Sequence, residues 1–224
     1  MTTPYFPEQI YLDTNLLRTL GLGSPNAAFL ELKKVANELK RSILIPQVVN
    51  LEWSHDHFEN VYRSASQTKS NLKTLEISLG MKGGAFKLPE DFATPLNKTL
   101  SKHLKDLGIE IVPTPKNISI SELVAMAAFK IRPFEEKGEK GFRDTIILYT
   151  IFEHMKKTKR KHALFITSDK IFEHDDVLEM IKKQILDITI VKTFEEGVQY
   201  IKGVLDDKVK AYLEEKKQKL LRFV

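Results

Sequence analysis

The stretch QIYLDTNLLRTLG, residues 9–21, sets the reading of the whole chain. Three apolar residues, Ile10, Tyr11 and Leu12, run straight into an acid, Asp13, and then into two small polar residues, Thr14 and Asn15. A short run that is apolar throughout is what a strand covered on both faces requires. With 10–13 as the first, similar runs recur at residues 42–45, 109–112, 163–167 and 188–192. Helix-period stretches separate them. Residues 25–40 place Ala28, Leu32, Val35 and Leu39 on one side, and Pro46 opens a second helix at PQVVNLEWSHDHF. FRDTIILYTIFEHMKK forms a third, with Ile146, Leu148, Tyr149 and Phe152 inward, and KKTKRKH (156–162) reads as its basic end, complementing the helix dipole. From Phe194 onward a long amphipathic helix has Val198, Ile201, Leu205, Val209, Tyr212 and Leu213 on one face. Alternating strands and helices predict a parallel sheet with helices on both sides.

The region from about 60 to 108 departs from this pattern. It is polar and helical in parts, and it reads as an insertion between the second and third strands of a single domain spanning 1–224. GMKGGAF (80–86) lacks the Gly-Lys-Ser/Thr of a phosphate-binding loop and does not follow a strand, so it reads as a flexible connection.

The 224 residues carry a formal net charge of +5, compatible with a polyanionic partner and equally with simple solubility. The hydrophobic share of 42% is that of an ordinary globular protein. The absence of cysteine removes disulfides, thiolate zinc sites and cysteine nucleophiles. MTTPYFPEQ shows no basic start followed by an apolar core, and no stretch is long and apolar enough to span a bilayer, so the expected setting is cytoplasmic, with no membrane.

In open parallel sheets, ligands bind at the carboxyl ends of the strands. Asp13 ends the first strand, Glu52 lies within two turns of the helix after the second, and Asp169 in ALFITSDK ends the fourth. Asp144, in KGFRDTIIL, opens the helix leading into that fourth strand. Four carboxylates sharing one rim repel unless cations neutralise them, and hard oxygen donors suit magnesium or manganese.

In order and spacing, YLDTN, IPQVVNLEW, GFRD and FITSDKIF resemble the PIN-domain nucleases over most of the chain, least near 60–106. The resemblance implies a three-layer α/β/α sandwich around a central, mostly parallel five-stranded sheet. It also implies metal-dependent cleavage of RNA, less often of DNA. Asp13, Glu52, Asp144 and Asp169 would ligate one or two Mg2+ or Mn2+ ions, with Asn15, Thr167 and Ser168 as supporting polar groups. Water activated by metal would attack phosphorus in line, and Lys140 or Arg143 would grip the phosphate. A toxin, an RNA-processing factor and a defence effector all fit; a toxin would imply an antitoxin partner, and a homo-oligomer is compatible with any of the three. One departure stands out. The family often has a further acid two residues after the strand-end aspartate, where this chain has Ile171, with Glu173 and Asp175 out of register. That supports the rival reading, a non-catalytic PIN-like module binding nucleic acid or protein.

Each acid also has a plainer explanation. Asp13 can cap its own turn, and Asp144 and Asp169 can serve helix starts. Asp56 shares a helix face with Glu52 and reads as a solvated acid. His55 and His57, two residues apart, cannot serve one site from a helix and read as surface residues, while Trp53 and Phe142 read as core.

Overall fold

The computed structural model describes residues 6–23, 25–80, 89–134 and 141–221, and of 211 and 213–221 only the backbone. Lys140, GMKGGAF beyond its first residue and the side chain of Leu213 lie outside the described residues. Five strands form the sheet: β1 (Gln9–Leu12), β2 (Ile43–Pro46), β3 (Ile109–Val112), β4 (His162–Ile166) and β5 (Asp187–Val191). Their order is β3-β2-β1-β4-β5, and every pair is parallel. The sheet is therefore wholly parallel, as helical crossovers between successive strands require. β1 and β2 are buried throughout, whereas the edge strand β3 exposes Glu110 and Ile111.

The helices are α1 (Thr14–Arg18), α2 (Ala27–Glu38), α3 (Gln47–Leu79), α4 (Ala93–Leu107), α5 (Ile120–Ala128), α6 (Phe142–Lys157), α7 (Asp175–Lys183) and α8 (Phe194–Leu221), with a 3-10 turn at Lys170–Glu173. The alternating side chains of the strands build two cores. On one face Ile166 and Leu164 meet α8 so closely that a Cβ at Gly197 would lie 2.9 Å from the tip of Ile166. There α2 packs on α8, and Phe29 meets Phe194 edge-to-face at 5.4 Å. On the other face Tyr11 meets His154 of α6 edge-to-face, and Phe165 meets Phe172 at 5.0 Å. These are the three layers of an α/β/α sandwich.

Several sequence expectations shift in detail. The helix after β2 does not stop at residue 60; α3 runs through to Leu79, so the insertion grows out of a helix already begun. Phe142, the first residue of α6, is 53% exposed rather than core. Tyr149 is half-buried, its hydroxyl donating to Glu122 at 2.6 Å. Val209 and Tyr212 are each 56% exposed, so the buried stripe of α8 fades after Leu205. Trp53 is core, and the half-buried His57 packs edge-on against it at 4.7 Å. No helix among the described residues is long and apolar enough to cross a membrane.

Candidate functional site

The chain leaves β1 toward β2 on one side and returns to pair β4 on the other, so the sheet's switch point lies between the carboxyl ends of β1 and β4. Asp13 and Asp169 follow those two strand ends. The backbone N–H of Asp13 donates to Ile166 at 3.1 Å, which fixes its place at the edge. The side chain of Asp13, only 6% exposed, accepts from the Thr14 N–H at 2.7 Å through Oδ1 and from the Thr167 hydroxyl at 2.7 Å through Oδ2. Thr167 is itself buried and receives the Asp169 N–H at 3.1 Å, linking the two acids through one hydroxyl. Asp169 is exposed, and its Oδ1 accepts from the Ile171 N–H at 3.0 Å. The local capping explanation thus holds for Asp13 and Asp169 as far as one oxygen each. Every carboxylate oxygen has a second lone pair to offer.

The other two acids arrive on helices. Glu52, its side chain 18% exposed, is held from three directions: its Oε2 accepts from the Thr14 hydroxyl at 2.8 Å, and its Oε1 accepts from Arg18 at 3.1 Å and from Arg143. Asp144 is half-buried in the first turn of α6. That turn begins at Gly141, with φ of 104°, where a Cβ would stand 2.2 Å from the carbonyl oxygen of Pro133. Only glycine fits such a backbone at such a distance.

The acids act on one another electrostatically. Burial, followed by the charges of Asp169 and Asp13, lifts the Asp144 carboxyl from 3.8 to about 6, against the pull of Arg143. Burial likewise raises the Asp13 carboxyl above its ordinary value, assisted by Asp169 and Glu52 and opposed by its two hydrogen bonds. In donor type this set suits a hard divalent cation: all oxygen, partly desolvated, and short of positive charge. As the side chains stand, no three His, Asp or Glu residues among those described converge closely enough to ligate one ion. Glu52 in particular is turned onto protein donors.

Of the supporting residues, Thr167 contacts both Asp13 and Asp169, while Asn15 accepts a long 3.4 Å bond from the Ser168 N–H. Ser168 is exposed and meets this network through its backbone N–H. Arg143 joins the cluster; Lys140 lies outside the described residues. Ile171 is 7% exposed within the core, so an apolar side chain suits its position. Sequence reasoning missed Arg18 and the partnership of Asp56, which accepts from Arg18 Nε at 2.6 Å rather than standing free in solvent. The signal was the four-residue spacing of Thr14 and Arg18, which puts both on one face of α1.

A family model described as PIN domain matches residues 10–172. No curated protein matches the chain. Among solved structures, one described as VapBC2 from Rickettsia felis bound to a DNA fragment from their promoter is 12% identical, over 81% of this chain and 98% of that one, with a TM-score of 0.40.

Proposed function

The chain belongs to the PIN-domain family, whose members are generally nucleases that use divalent metals, and we propose that it is a metal-dependent endonuclease hydrolysing RNA. The observation that carries the proposal is the placing of Asp13, Asp144, Asp169 and Glu52 at the sheet's switch point, near enough that the charges of Asp169 and Glu52 help raise the carboxyls of Asp13 and Asp144, the latter to about 6. Acids brought together only to cap helices need not feel one another's charge.

In this proposal the four carboxylates hold one or two Mg2+ or Mn2+ ions. When bound, such an ion supplies a polarised water and neutralises a phosphate oxygen. The chain's own groups then do the positioning. Thr14 and Thr167 fix the Asp13 carboxylate, so that its rotamer is set before a ligand arrives. Arg143, exposed and one residue from Asp144, is the cation proposed to leave Glu52 for the scissile phosphate, with Lys140 three residues earlier in the sequence. Water adds to phosphorus and the opposite P–O bond breaks, with no covalent enzyme intermediate. The proposal also takes a cytoplasmic setting and, for a toxin, an antitoxin partner.

The rival, a non-catalytic binding module, draws on Ile171. Manganese titration separates the two. On the nuclease reading, cation at about a hundredfold over its dissociation constant raises the melting temperature by roughly 5–10 °C. Labelled single-stranded RNA is then cut, and chelator abolishes the cutting. A melting curve indifferent to manganese, together with intact RNA, establishes the rival. Full cleavage by folded Asp144→Asn in magnesium removes that residue from the mechanism.

A further inference from the structure

One guanidinium at the rim has no part in the reading above. Arg18, at the end of α1, donates Nε to Asp56 at 2.6 Å and one Nη2 hydrogen to Glu52 at 3.1 Å. Its side chain is 47% exposed and lines a groove of about 510 Å³ along α3, with Trp53, His57, Asn60 and Arg63. A guanidinium carries five N–H donors in a planar fork, so these two acids leave donors of Arg18 unspent beside the groove.

The geometry points to Arg18 as a phosphate-binding residue for a nucleotide flanking the scissile bond, and to Asp56 as the positioning residue that aims it. This rests on the nuclease reading. Three features argue for it over a purely structural tie. Glu52 is held through Oε2 by the Thr14 hydroxyl at 2.8 Å independently of Arg18, so its placement does not depend on Arg18 alone. The bond to Asp56 grips Nε, which orients the fork even when Glu52 turns to another partner. The groove adjoins the carboxylate rim, since Arg18, which lines it, touches Glu52.

The groove is not a general sink for polyanions. Its arginines are balanced by Asp56 and Glu59, the latter 3.8 Å from Arg63. What it offers is one oriented fork, suited to two oxygens of a single backbone phosphate. From Trp53 to Arg63 it follows about 15 Å of helix, long enough for a strand rather than for one small anion.

The test is a phosphate scan. Single-stranded RNA carrying one neutral methylphosphonate at successive positions around the cleavage point is cut by wild type, Arg18→Met, Arg18→Lys and Asp56→Asn. In wild type one flanking position loses about tenfold in kcat/KM, the scale of a lost charge-assisted contact. In Arg18→Met that position no longer matters: uniform RNA already shows the loss, falling on KM, and the salt slope of binding in chelator drops by about 0.7. Arg18→Lys recovers the salt slope without the full kcat/KM, and Asp56→Asn loses part of the position-specific effect. A folded Arg18→Met with the wild-type scan and salt slope overturns the Arg18 assignment alone. Should Arg18→Met not fold, unchanged scans in both Arg18→Lys and Asp56→Asn overturn it. A wild-type protein that neither binds nor cuts RNA or DNA overturns the nuclease reading, and this assignment with it.

Discussion

Replacing Asp144 by Asn should stabilise the metal-free protein, and by an amount that depends on pH. The carboxyl of Asp144 sits at about 6 in the folded chain against 3.8 for an ordinary aspartate. A raised acid means that the folded state binds its proton more tightly than the unfolded state does. Below about pH 4 both states are protonated and the acid costs nothing. As pH rises from 4 to 6 the unfolded chain releases its proton first, and the folded state falls behind. Above pH 6 the penalty is complete, about 3 kcal/mol at 1.36 kcal/mol per pH unit. Asparagine keeps the shape without the charge. In chelator at pH 7.5, Asp144→Asn should therefore melt roughly 6–12 °C above wild type for a chain of this size. The gap should narrow through pH 6 and close near pH 4. Manganese should then reverse the order by stabilising wild type more than the variant. Denaturation of both proteins across pH 4–8, with and without manganese, reads all of this. A variant less stable than wild type at pH 7.5, or one whose advantage is the same at pH 4, refutes the reasoning.

Two further substitutions probe how the rim is held. Gly141→Ala places a methyl group against the Pro133 carbonyl at a φ of 104°, so it should cost more than about 3 kcal/mol in a denaturant titration and reduce cleavage through the displaced first turn of α6. Thr167→Val removes a buried donor from Asp13 and an acceptor from the Asp169 N–H, for a loss of about 1–3 kcal/mol. Because that hydroxyl bond favours the charged form of Asp13, the loss should be larger at pH 8 than at pH 4; equal losses at both would argue against a charged Asp13.

The strands were legible because each is a short apolar run, and such a run has few alternatives between two helices. All five lie within a residue of where the composition puts them. The positions of Asp13 and Asp169 followed from the strand ends. Tertiary partnership was not legible. Arg18 and Asp56 are 38 positions apart in the chain, and only the packing of α1 on α3 makes them a pair. Periodicity failed at helix ends for a related reason. It says which side chains share a face, not whether anything lies opposite that face. Phe142 opens α6 yet is exposed, and the stripe of α8 continues past Leu205 without remaining buried.

The plain and the chemical explanations of these acids are not rivals, and their coexistence says how such a rim can be built. Asp13 and Asp169 each give an oxygen to a backbone N–H one or two residues on. That bond locks the side chain at the strand end and leaves lone pairs directed outward. Short acids at strand ends therefore come preorganised at little entropic cost. Glu52, on a longer side chain, needs donors from elsewhere in the fold, and it has Thr14, Arg18 and Arg143. Those arginines satisfy the Glu52 carboxylate while neutralising part of the field that the acids create. A capping acid alone gains nothing from a second carboxylate in its field, because each neighbour raises the cost of its charge. Asp144 bears that cost, and on the proposed nuclease reading cation binding would recover it, coupling stability to chemistry through the same four side chains.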